Sequence, residues 1–124
     1  MDDAPLATKE SISRAMDALG KRGVAALAVE SRAEALEKIK TLIPKGTTVM
    51  NGSSRTLEEI GFIEYLKSGN HGWDNLHEKI LEEQDPAKQA LLRKQAILSD
   101  YYLGSVHAVA ETGEFVVASN SGSQ

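Results

Sequence analysis

The spacing of apolar side chains divides the chain into helical and extended segments. From Lys9 to Lys21, the residues Ile12, Ala15, Met16 and Leu19 recur at the three- and four-residue intervals of one helix face, and Gly20 and Gly23 supply its stop. Val24-Ala25-Ala26-Leu27-Ala28-Val29 is a continuous apolar run too short for a helix, so it predicts a strand covered on both faces. Ser31-Arg32-Ala33-Glu34 has the form of a capping box, and Ala35, Leu36, Ile39, Leu42 and Ile43 mark the apolar stripe of the helix it opens. Pro44 and Gly46 close that helix. Thr47-Thr48-Val49-Met50, β-branched and apolar at its end, predicts a second buried strand. Asn51-Gly52-Ser53-Ser54 is a small polar turn, and Thr56-Leu57-Glu58-Glu59 then reads as the capping box of the next helix.

From Ile60 to Ser99 the pattern is mostly helical and more charged, and it reads as an insertion or lid. Ile60 to Leu66 continues the preceding helix, and Ser68-Gly69-Asn70-His71-Gly72 breaks it. Asp85-Pro86 suits an N-cap and first helical position, with Leu91, Leu92 and Ile97 turned toward one side of the sheet. Tyr101 to Ala110 and Glu114 to Ala118 predict two strands joined at Thr112-Gly113. Ser119-Asn120-Ser121-Gly122-Ser123-Gln124 ends the chain on a polar stretch similar in composition to Asn51–Ser54.

Helix, strand, helix, strand, helix is the order of an α/β fold with a mostly parallel sheet and crossover helices. Ligands collect at the carboxyl ends of such strands, and Asn51 to Ser54 occupies one of them. The turn offers backbone N–H groups, three hydrogen-bonding side chains and a helix N-terminus, which makes Asn51, Gly52, Ser53 and Ser54 a candidate cradle for a phosphate or carboxylate. An ordinary turn capped by Ser or Thr accounts for the same residues equally well. Arg55 beside it is a candidate bidentate partner for the anion, although an exposed Arg in a first helical turn is commoner. Ser119, Ser121, Gly122 and Ser123 are expected to face the turn across one pocket.

Composition narrows the function classes. At 124 residues, 41% apolar and 26% charged, the whole chain is expected to be one soluble domain with a core of its own. A net charge of −4 and few aromatic residues argue against nucleic acid as a partner. The absence of cysteine removes disulfides, thiolate nucleophiles and thiolate-held iron–sulfur clusters together. No secretory leader and no run of bilayer length is present, so no membrane association and a cytoplasmic location are expected. Neither Gly-x-Gly-x-x-Gly nor Gly-Lys-Ser occurs, so nicotinamide and ATP have no support and no cofactor is expected.

Four further groups could carry chemistry. Glu111, at a strand end beside Thr112-Gly113, is the most plausible reactive carboxylate, but Glu111 and Glu114 also flank a turn of the kind that holds solvated charges. His107 shares a strand face with Ser105 and Val109, where a histidine either shuttles a proton near neutral pH or sits buried with one hydrogen bond. His71, Asp74 and His77 are spaced by three as metal ligands on a helix would be, but the glycines around them favour a surface cluster beside Trp73, and no metal is expected. Tyr101 and Tyr102 point to opposite faces of a strand, so at most one reaches a ligand.

Asn51-Gly52-Ser53-Ser54, the run from Ser99 to Val109, Glu111-Thr112-Gly113 and Ala118 to Gln124 together resemble the LUD domain, a family named for lactate-utilisation proteins. The resemblance covers most of the chain from about Val24, and Ser99 to Gln124 is its most specific part. It implies a three-layer α/β/α fold of the kind shared by glucosamine-6-phosphate deaminase, ribose-5-phosphate isomerase and CoA transferases. By analogy with those enzymes, Glu111 would be a nucleophile or general base. The resemblance also implies an L-lactate oxidation system in which a partner subunit carries iron–sulfur clusters. Family members continue past Gln124, so this chain is expected to be the N-terminal part of such a domain, incomplete at its C-terminus. A sheet stopped there leaves an unpaired edge, so a homo-oligomer is expected. Two functions follow. One is a pocket for a small anionic metabolite, phosphorylated or carboxylated, and the other is a non-catalytic accessory or partner-binding subunit.

Overall fold

Strand β1, Thr48–Asn51, is the middle of a three-stranded sheet in the order β2, β1, β3. Its neighbours are β2, Asp74–Asn75, and β3, Tyr101–Leu103. Both pair with it in parallel, Val49 opposite Asn75 on one side and opposite Tyr101 on the other. The computed structural model describes residues 5–119. Within that range Glu30–Ser105 forms one compact unit, which holds this sheet, and residues 5–29 with 106–119 form another.

Parallel strands need crossovers, and the helices of the first unit supply them. They are α2 (Arg32–Leu42) before β1, α3 (Arg55–Glu59) and α4 (Phe62–Ser68) between β1 and β2, and α5 (Leu76–Glu82) and α6 (Pro86–Gln95) between β2 and β3. The preceding helix, α1, spans Lys9–Lys21. Val49 is fully buried in a cluster with Ile43, Leu57, Phe62, Leu66 and Trp73, against which Leu36 and Ile39 of α2 pack. The Phe62 and Trp73 rings lie 6.0 Å apart, and the Trp73 indole N–H donates to the Ile43 carbonyl at 3.1 Å, so the one polar atom of that ring is satisfied. Thr48 points the other way and lies beside Ile80, Leu92 and Ala96 of the helices that follow β2. Helices thus cover both faces, in the three-layer α/β/α manner. At the opposite end from the candidate site, Asp100 closes the sheet. Its carboxylate accepts from the Thr48 amide at 2.9 Å, while its own amide donates to the Thr48 hydroxyl at 2.8 Å.

Several elements differ from the sequence reading. Helix α3 is capped by Ser54, whose hydroxyl accepts from the Leu57 amide, and not by Thr56, because the chain turns two residues earlier than the Thr-x-x-Glu pattern suggests. The helix does not continue through Leu66. Gly61 at φ 85° breaks it, and the new direction sends Phe62 into the core. Residues 60–99 are not an insertion or lid, since they contain β2, which pairs with the central strand. Strand β2 and helix α5 were not anticipated, because a two-residue strand carries no periodicity to read. Ile97 is exposed in a short 3-10 turn after α6 and does not join a sheet-facing stripe.

The predicted strand Tyr101–Ala110 divides. Its first part is β3, and after Gly104 and Ser105 the remainder becomes β4, Ala108–Val109, antiparallel to β5, Phe115–Val116, in the second unit. Gly113 at φ 93° makes the hairpin turn, and its amide donates to the Ala110 carbonyl at 2.9 Å. In the same unit Val24–Val29 forms no strand. Among the described residues no ladder partner is present for it, and Leu27 is 60% exposed. An apolar run becomes a buried strand only where neighbours accept its backbone hydrogen bonds.

Candidate functional site

The carboxyl end of β1 runs straight into the Ser54 cap. The Ser54 hydroxyl accepts from the Leu57 amide at 3.1 Å and donates to the Ser105 hydroxyl at 2.9 Å, which ties the turn after β1 to the chain after β3. Gly52 extends the β1–β3 ladder by donating its amide to the Leu103 carbonyl at 3.0 Å. A side chain at Gly52 would collide with the Tyr102 hydroxyl, and one at Gly104 would press on the same ring, so the Tyr102 side chain lies against both glycines. Asn51 is 2% exposed; its side-chain nitrogen donates to the Gly52 carbonyl at 3.3 Å, and its Oδ1 has no partner among the described residues. A buried acceptor left empty costs about 1–3 kcal/mol unless something donates to it.

Asn51, Gly52, Ser53 and Ser54 line one wall of an open cleft of about 510 Å³. Helix α4 contributes Ile63, Leu66 and Lys67, α3 contributes Glu58, and the junction from β2 into α5 contributes Asn75, His77 and Glu78. Leu81 and Glu82 complete the cleft one turn on. It therefore sits at the carboxyl ends of β1 and β2, where parallel sheets place their ligands. Some turn amides that sequence offered for an anion are used internally, that of Gly52 by Leu103, that of Leu57 by Ser54 and that of Glu58 by the Ser54 carbonyl. The Ser53 hydroxyl and the Lys67 ammonium are further donor groups in the wall, the latter in a long ion pair with Glu64 at 3.8 Å. His77 has its pKa lowered by burial and, secondarily, by the positive Arg93, which favours the neutral ring.

The other sequence candidates occupy different settings. Arg55 is largely exposed and pairs with Glu59 at 3.2 Å within α3. Glu111 stands in the hairpin turn of the second unit and is held by the Arg14 guanidinium at 2.8 and 2.9 Å and by the Ser11 hydroxyl at 2.6 Å. Those hydrogen bonds, with the Arg14 charge, lower its pKa to about 2. Glu114 across the turn pairs with Arg22 at 2.8 Å, and its pKa is lowered mainly by the Thr112 hydroxyl. His107 is exposed, in the same unit, and its Nδ1 accepts from the Ala118 amide at 3.1 Å. Ser119 is exposed in that unit too, while Ser121, Gly122 and Ser123 lie outside the described residues.

His71, Asp74 and His77 do not converge. His71 is buried, stacks on Trp73 at 5.4 Å and accepts from the Trp73 amide at 2.9 Å, so it belongs to the core and not to a surface cluster. Asp74 pairs with Lys79 at 2.6 Å, and His77 lines the cleft. Among the described residues no group of three or more acidic or histidine side chains is placed to hold a metal ion. Tyr101 packs on the core and Tyr102 lies over the glycines, each on its own face as alternation requires. Sequence reasoning passed over Lys67, Asn75, Glu78 and Glu82. The Asn75-to-Glu78 spacing, an N-cap with an acid three residues on, was the available signal for the helix that carries two of them.

The unit Glu30–Ser105 is of the α/β class, with its cleft at the strand ends. The model of the LUD domain family matches residues 12–124, and the chain belongs to that family. Membership suggests a lactate-utilisation-like function. No curated protein and no solved structure matches the chain. Among the described residues no helix is long and apolar enough to cross a membrane.

Proposed function

We propose that this LUD domain binds a small carboxylated or phosphorylated metabolite in the cleft at the carboxyl ends of β1 and β2, in the service of lactate utilisation. The observation that carries the reading is the cleft's position: the polar turn Asn51–Ser54 forms its wall at the rim of a parallel sheet. The Ser53 hydroxyl and Lys67 supply donors for the anionic group, and Ile63 and Leu66 an apolar side. Thermal unfolding of the full chain with lactate, inorganic phosphate, sugar phosphates and CoA tests it. At a hundred times its Kd, a ligand of the folded state adds about 2.7 kcal/mol, a readable rise in melting temperature. No rise with any of them would count against the reading.

A second reading is a non-catalytic accessory subunit that docks on an iron–sulfur partner. It is favoured by the state of Glu111, whose carboxylate is engaged by Arg14 and Ser11 and, with a pKa of about 2, is a weak base. Replacing Glu111 with Gln tests it: an accessory role predicts that reconstituted lactate oxidation survives, and its loss would count against that role and for Glu111 as a catalytic base.

A further inference from the structure

The electrical character of the cleft does not match a ligand that is anionic throughout. Among the described residues, Glu58, Glu78 and Glu82 stand in the wall against a single lysine, and no arginine lines it. A doubly charged phosphate would meet net repulsion from these carboxylates. A buried acceptor adds an independent observation of the same sign. Asn51 belongs to the wall, and its buried Oδ1 is an acceptor without a donor among the described residues. Three carboxylates and an empty amide carbonyl all ask for N–H or O–H groups from whatever fills the cleft. Ile63, Leu66 and Leu81 give the same space an apolar side, and a volume of about 510 Å³ exceeds what a three-carbon acid fills.

We infer that the occupant is an amphipathic zwitterion of the α-amino acid type, whose protonated amine answers the acceptors and whose apolar side chain lies against Ile63, Leu66 and Leu81. This rests on the preceding reading that the cleft receives an anionic group, and it names what the rest of the ligand carries.

Three probes of matched size test it by calorimetric titration of the full chain: L-phenylalanine, L-3-phenyllactate, which replaces the amine by a hydroxyl, and 2-phenylethylamine, which lacks the carboxylate. L-Phenylalanine is expected to bind at least tenfold tighter than phenyllactate, and the double variant Glu78→Gln with Glu82→Gln to bring that ratio toward one. Both glutamates are exposed, and a circular dichroism spectrum like that of the parent shows that the variant is folded. Phenyllactate binding as well as phenylalanine would overturn the inference and leave the carboxylate pocket standing. Phenylethylamine binding as well as phenylalanine would remove the anionic group and keep only the amine. Binding by none of the three would overturn the inference, and the panel of anions described above would then decide the pocket separately.

Discussion

Ser54 and Ser105 share one hydrogen bond, 2.9 Å between their hydroxyl oxygens, and through it the turn that follows the central strand is fastened to the chain leaving its neighbour. Ser54 is also the N-cap of α3, so one buried hydroxyl holds the local helix start and a contact 51 residues away in sequence.

Ser54→Ala removes both bonds, and we expect a loss of about 1–2 kcal/mol by urea denaturation, the upper range for a cap because the hydroxyl is buried. Ser105→Ala leaves the cap intact and should cost less, under about 1 kcal/mol. Equal losses would show that the cap contributes nothing.

Gly52 is needed for space, not for backbone conformation, since its φ lies outside the positive range and the obstacle to a side chain is the Tyr102 hydroxyl. Gly52→Ala is therefore expected to lower the melting temperature in the parent and to do so measurably less in a Tyr102→Phe background, where the colliding oxygen is gone. A double-mutant cycle reads the coupling directly. Independent effects would place the constraint elsewhere.

The extent to which the sequence foretold this arrangement follows from how local each signal is. Helix α1 has the boundaries its spacing of Ile12, Ala15, Met16 and Leu19 implies, and Asp85-Pro86 caps α6 as expected, because caps and stripes are set within a few residues. The strand at Val24–Val29 was misread since its apolar run says nothing of whether a partner exists. The division of Tyr101–Ala110 at Gly104 was hidden for the same reason: which strand each half joins is decided by residues far away, Thr48–Asn51 for one and Phe115–Val116 for the other. For the site, the turn at Asn51–Ser54 was legible from its composition and its place after a strand. The opposite wall was not, because His77, Glu78 and Glu82 reach the cleft only through the parallel pairing of β2, whose two residues leave no pattern.

Glu111 makes a prediction about acidity. Its pKa in the folded chain, about 2, lies below the ordinary 4.5, so the folded state holds the deprotonated form more firmly than the unfolded chain does. The stability this contributes is complete above about pH 4.5 and is lost as pH falls toward 2. Melting temperatures of the parent and of Glu111→Gln, measured from pH 7 downward, should therefore differ at neutral pH and converge between pH 4.5 and 2. A gap independent of pH would show that Arg14 and Ser11 do not act on this carboxylate through its charge.

The central claim is that ligands enter at the carboxyl ends of β1 and β2. Backbone amide NMR of the isotopically labelled full chain, titrated with L-3-phenyllactate and L-phenylalanine, tests it most directly. Saturable shifts centred on Gly52, Ser53, Lys67, Asn75 and His77, and on the Asn51 side-chain amide, are the expected result. No shifts at millimolar ligand would overturn the zwitterionic occupant alone, and saturable shifts centred on residues away from this rim would contradict the central claim.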